Sequence, residues 1–170
     1  MDETNEGSEP SADFPVVEEI SAEQVNFGPG LAGRITATRV NMQQAGALAI
    51  AAGQDAEVSF GGALAIAAGR DMRMNSGGAM VFAVGRDLQM ADSVTGVANI
   101  GGRLDMTDSV SGVAVSGAAS LNQSMVGILL SSKTDLGEGS QVLLSTPQAA
   151  AFGALFGVAF ALVSWLLRKK

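Results

Sequence analysis

Three carboxylates recur at sixteen-residue intervals, Asp55, Asp71 and Asp87, in the turns Gly53-Gln-Asp55, Gly69-Arg-Asp71 and Gly85-Arg-Asp87. Carboxylates stacked at a fixed interval are one way a chain collects the oxygen ligands that a hard cation such as calcium takes. Calcium-binding repeats of this kind carry a Gly-Gly-x-Gly-x-Asp nonapeptide, which is missing here, and Arg70 and Arg86 stand beside the carboxylates to offset their charge. The ladder therefore reads as turn chemistry, in which Asp hydrogen-bonds its own backbone. No metal is expected.

Other reactive groups are scarce. The chain has no Cys, His or Tyr, which removes thiol nucleophiles, Cys/His metal sites and the commonest general base. A serine nucleophile needs a partner, and neither a Gly-x-Ser-x-Gly elbow nor a Ser-x-x-Lys motif is present. The net charge of −7 is concentrated at the start: residues 1–19 hold seven acids and no base. Outside Arg168-Lys169-Lys170 there is no run of bases, so nucleic acid is not an expected partner. These absences point away from an enzyme, a cofactor and a small-molecule substrate.

The interval that spaces the carboxylates runs through the whole middle of the chain. Gly46-Ala-Leu-Ala-Ile-Ala-Ala-Gly53 returns as Gly62-Ala-Leu-Ala-Ile-Ala-Ala-Gly69, then as Gly78-Ala-Met-Val-Phe-Ala-Val-Gly85, and decays to Val94, Val110 and Val126. A repeat this short has no room for two helices and a turn. It must be one coil of a solenoid that buries its apolar face only by stacking on its neighbours. The expected fold class is all-β: a β-solenoid of about eight short rungs over 20–146, two strands per rung. It is preceded by a disordered acidic arm over 1–19 and followed over 147–170 by a single C-terminal transmembrane α-helix.

One strand of each rung alternates. Apolar pairs flank a polar residue in Val40-Asn-Met42, Met72-Arg-Met74 and Leu88-Gln-Met90, the period-two pattern of a sheet with one wet face. Glu57, Arg73, Gln89 and Asp105 are its expected outward residues. The other strand is apolar on both faces, as a strand covered on both sides would be. Leu48/Ile50, Leu64/Ile66, Met80/Phe82 and Ile128/Leu130 are its expected inward pairs, filled weakly by Gly96/Ala98 and Gly112/Ala114. Its outer strip of Ala49, Ala65, Val81, Val97, Val113 and Leu129 is the expected self-association face. The glycines of Gly61-Gly62 and Gly77-Gly78 are expected to supply positive φ at the corners.

Ala149 to Leu167 is uncharged and apolar over nineteen residues, about 28 Å as a helix and close to the ~30 Å hydrocarbon core of a bilayer. Trp165, Arg168, Lys169 and Lys170 would lie at the membrane interface. Ala149, Gly153, Gly157 and Ala161 form a stripe of small residues every four positions, the arrangement that lets two transmembrane helices approach closely. No signal peptide is recognisable at the start of the sequence, which favours a tail-anchored protein with its solenoid in the cytoplasm. The three terminal bases, counted by the positive-inside rule, argue for the opposite orientation.

Ile20-Ser-Ala-Glu-Gln-Val25-Asn-Phe27 and Ile35-Thr-Ala-Thr-Arg-Val40-Asn-Met42 resemble repeats of bacterial proteins that end in a membrane helix. In architecture, the body from Ile20 to about Val142 is similar to bactofilins, the polymer-forming β-helical cytoskeletal proteins. It departs from them in its Gly-Arg-Asp turns and C-terminal anchor. The resemblance implies a scaffold at the cytoplasmic membrane, without nucleotide or metal. The expected function is thus a membrane-anchored, self-associating scaffold and homo-oligomer. The alternative is a binding module that presents its flat apolar sheet face to a protein partner or a lipid surface.

Overall fold

A computed structural model describes residues 15–146 and 148. Over these the chain forms eleven strands. They are β1 (Val16–Phe27), β2 (Gly30–Gln43), β3 (Ala45–Ala52), β4 (Ala56–Ser59), β5 (Gly62–Ala68), β6 (Met72–Val84), β7 (Leu88–Ile100), β8 (Arg103–Thr107), β9 (Val110–Asn122), β10 (Met125–Leu136) and β11 (Gln141–Ser145). The pairing is parallel throughout, each strand bonded to its equivalent one rung away. Eight such steps carry one column from Val16 through Leu31, Gly46, Gly62, Gly78, Val94, Val110 and Met125 to Gln141. Over the described residues the chain forms the parallel β-solenoid that the repeat demands. β1 opens at Val16, paired with Leu31, so residues 16–19 belong to the first rung and not to the acidic arm.

The rung of residues 72–87 shows the common anatomy. Met72, Met74, Ala79, Phe82 and Val84 point into the core, while Arg73, Asn75, Met80, Val81 and Ala83 point out. Two features break the alternation. Ser76 turns the first corner with φ of 52°. Met80 and Val81 then face outward in succession, so the second strand bends within its length. Each rung consequently presents three short runs to the core, and in β6 and β7 the two strands expected per rung are one strand continuous through the first corner, as they are in β9 through the turn at Gly117. Inside, like stacks on like. Met42, Val58, Met74, Met90, Met106 and Leu121 form one column, in which unbranched Met side chains fill irregular space. Phe82 stacks on the small Ala98 and Ala114, and Ile100 on Val84, all of them buried.

Three expectations from the sequence are corrected by this geometry. Leu48, Leu64 and Met80 are exposed at 61%, 53% and 64%, because the bend places them outside and leaves Ile50, Ile66 and Phe82 as the inward residues. Gly96 and Gly112 are likewise exposed. The register then slips by one residue near Gly117. Gly101-Gly-Arg103 is matched by a turn one residue shorter, in which the amides of Gly117 and Ala118 both donate to Gly102 O, at 2.9 and 3.1 Å. Across it the column interval is fifteen, from Val113 to Ile128, before returning to sixteen from Ile128 to Leu144. Leu129 and Val126 are therefore buried in the core, while Ile128 and Leu130 are only half-buried.

The corner glycines also act differently from expectation. Among the described glycines positive φ falls only on Gly30 and Gly139, not on Gly61-Gly62 or Gly77-Gly78; elsewhere it falls on Gln44, Phe60, Ser76, Asp92, Asp108 and Gln123, one non-glycine residue per rung. Gly77 follows that residue, and a Cβ on it would collide with the carbonyl of Gly61 in the rung before. Close approach of stacked backbones, not a left-handed conformation, is what excludes a side chain there.

Candidate interaction face

The Gly-Arg-Asp turns form an ion-pair ladder between rungs. Arg70 donates from Nη2 to Asp55 Oδ2 at 2.7 Å, and Arg86 to Asp71 Oδ2 at 2.6 Å. Each arginine thus reaches back to the carboxylate of the preceding turn, and each guanidinium also bonds through Nε to the same side chain. These bonds hold the carboxyls of Asp55 and Asp71 below their ordinary range, against a partial opposing effect of desolvation. At the end of the series Gly102 stands where an arginine would pair with Asp87, which instead accepts the Arg103 amide at 2.9 Å. Among the described residues no group of three or more acidic side chains is placed to hold a metal ion. Beside the ladder lies an open groove of about 400 Å³ lined by Arg39, Asp55, Glu57, Asp71 and Arg73 among others. Its wall carries both signs, Arg39 and Arg73 beside Asp55, Glu57 and Asp71.

At the first corner the later rungs replace glycine by serine. Ser93, Ser109 and Ser124 each donate their hydroxyl to the carbonyl two residues before, at 2.7 Å. The same oxygens of Ser109 and Ser124 accept the amide of the preceding rung's serine, at 3.2 Å. This column satisfies backbone groups that the corner would otherwise leave unpaired. Sequence reading missed it. The recurrence of Ser93, Ser109, Ser124 and Ser140 at near-constant spacing was its visible trace.

Opposite the polar strand lies the apolar face. Ala49, Ala65, Val81, Val97 and Val113 stack in one column as expected, and its sixth member is Ile128 rather than Leu129. Ala51, Ala67, Ala83, Asn99, Val115 and Leu130 form a parallel column two residues on. From the rung of Gly46 to that of Met125 neither column contains a charge. The exposed Leu48, Leu64 and Met80 widen the strip, and an apolar hollow of about 470 Å³ opens between Leu31, Gly46, Leu48, Gly62 and Leu64. A large contiguous apolar patch on a folded protein marks an interaction surface. This face, and not the grooves of the turn side, is the candidate site.

The expected transmembrane stripe (Ala149, Gly153, Gly157, Ala161) and interfacial residues (Trp165, Arg168, Lys169, Lys170) lie outside the described residues. Among the described residues no helix is long and apolar enough to cross a membrane. No family model matches this chain, and comparison with curated proteins and with solved structures finds no match either.

Proposed function

We propose that this protein is a non-enzymatic scaffold that self-associates at a membrane through the apolar face of its solenoid. The uncharged strip from Ala49 to Ile128, flanked by the exposed Leu48, Leu64 and Met80, carries the proposal. An isolated soluble domain would hold such a strip in water at a cost, whereas packing it removes the cost. The apolar segment Ala149–Leu167 and the bases after it supply the membrane attachment, and the stripe Ala149, Gly153, Gly157, Ala161 a second self-association surface. The shared β-helical body supports the bactofilin likeness in architecture, and with it a scaffolding role.

The test is the mass of the full chain in a mild detergent by light scattering. A dimer or larger assembly is expected. Changing Val81→Asp together with Val97→Asp should shift it toward monomer while the β-type circular dichroism is retained. A wild-type chain that stays monomeric at tens of micromolar overturns self-association and leaves the face to a different protein or to lipid.

A further inference from the structure

Between the first corner and the bend, every rung turns one large apolar side chain outward, and two neighbouring columns supply it in turn. The first column supplies Val16 and Leu31, the second Leu48, Leu64 and Met80. The first resumes with Val94, Val110 and Met125, and the second closes the series with Leu143. These side chains are 43% to 74% exposed, so none is spent on the core. They make a ridge one residue wide that runs the length of the solenoid, roughly 38 Å at ~4.8 Å per rung. No position of the two columns from Leu31 to Leu143 is charged. Over Gly46 and Gly62 the ridge opens into the hollow between Leu31, Leu48 and Leu64, whose walls contain no polar side chain.

We infer that this ridge lies in the surface of a lipid bilayer, with the solenoid axis parallel to the membrane plane. The inference rests on the membrane-attachment reading and adds to it how the solenoid lies. Ridge and attachment are continuous: Leu143 in β11 is the last member of the ridge, and the apolar run begins soon after it at Ala149. That short link reaches at most about 20 Å, so a membrane-inserted run holds the last rung at the bilayer. The rest of the ridge then meets lipid as an intramolecular contact, for which weak insertion suffices. A strip one side chain wide is less than a specific protein partner needs to bury. Lipid needs no fitted counterpart. Apolar side chains enter the boundary of headgroups and acyl chains by ~5–10 Å, and acyl methylenes fill the hollow at Gly46. The columns of Ala49 and Ala51 lie beyond the bend, on a different side of the rung, and are left to the contact between copies.

Apolar insertion, and not charge, carries this docking. Asp92 and Asp108 are exposed at the first corner beside Val94 and Val110, and the two columns of the ridge hold no base. Anionic headgroups attract basic residues, so they find nothing to hold on this side. Zwitterionic phosphatidylcholine is the lipid that fits.

The absence of native cysteine lets one fluorophore be placed per chain. Full-length chains carry Leu31→Cys, Leu64→Cys or Val110→Cys on the ridge, Ala67→Cys beyond the bend, or Gln89→Cys on the polar strand. Each is labelled and reconstituted into phosphatidylcholine vesicles that contain nitroxide-bearing lipid. The ridge sites should be quenched at least about threefold more than Ala67→Cys and Gln89→Cys, with no gain when phosphatidylglycerol is added. Leu31 lies seven rungs from the rung of Leu143, beyond the reach of the link. Quenching confined to Val110→Cys would mean that the solenoid stands upright, and would overturn the inference. Quenching of Ala67→Cys in place of the ridge, or docking that requires anionic lipid, would overturn it too. Ridge labels shielded from lipid in chains that float with the vesicles would give the ridge to a protein or a second copy, and leave membrane attachment standing. Chains that do not float would remove attachment and inference together. Adding Leu48→Gln, Leu64→Gln and Met80→Gln should lower quenching at Leu31→Cys about threefold while flotation and β-type circular dichroism are kept. Unchanged quenching would show that these side chains do not hold the solenoid to the bilayer.

Discussion

At the scale of the residue, chemical type misleads wherever a rung bends. Leu64 and Ile66 are both aliphatic and two positions apart, and a strict period of two puts them on one side. The structure separates them: Ile66 is 1% exposed and Leu64 53%. Ile66→Ala should cost on the order of 2–5 kcal/mol through loss of buried area and a residual cavity. Leu64→Ala should cost less than about 1 kcal/mol, since exposed positions away from special features change stability little. Urea denaturation of the two variants, kept at concentrations where the chain is monomeric, checks the assignment. Equal losses would mean that Leu64 is part of the core. The serines at the first corner make the same point from the polar side. Ser93 and Ser109 are buried because their hydroxyls complete backbone hydrogen bonds, and only the stacking of rungs reveals the partner.

At the scale of the element, the turns tie one rung to the next. Arg70 and Arg86 each pair with the aspartate fifteen residues earlier and not with the aspartate next to them in sequence, so the ladder is an inter-rung device. Asp55 and Asp71 have depressed carboxyl pKa values in the folded state because of the hydrogen bonds from Arg70 and Arg86. A depressed folded-state pKa contributes stability above the unfolded-state value, near 3.8 for these groups. That contribution is lost as pH falls through the lower folded-state value. The melting temperature should therefore drop more between pH 5 and about pH 2 in the wild type than in a chain with Arg70→Gln and Arg86→Gln. The difference should be modest, because exposed ion pairs are screened by solvent. Thermal melts by circular dichroism across that range decide it, and identical pH profiles would mean that the ladder does not contribute.

At the scale of the whole molecule, stability accumulates rung by rung, and a rung with two neighbours is held better than one at an end. β1 and β11 each pair on one side only, whereas β6 and β7 lie between other rungs. Amide exchange should therefore be slowest in β6 and β7 and faster in β11, by about a hundredfold or more if the ends open locally. Uniform protection along the chain would show that the solenoid opens as one unit. Much of this architecture was legible in the sequence. A sixteen-residue period forces short stacked coils, and the alternation in Met72-Arg-Met74 and its equivalents identifies the polar strand without coordinates. The column from Ala49 to Val113 was legible as well, because the repeat copies it almost unchanged. Three things were decided only by the tertiary structure. The bend turned Leu48, Leu64 and Met80 outward, since two successive residues must leave the core for the strand to change direction. The turn at Gly117, one residue short, exchanged Ile128 for Leu129, and in a strand a one-residue slip reverses every side chain. The left-handed corners fall one residue before a position held by Gly77 in one rung and by Ser93, Ser109 and Ser124 in later ones, so the corner follows the path of the backbone and not the placing of a glycine. A period gives the stacking, but which side of a strand meets the core depends on where the chain bends, and that is settled by contacts between rungs.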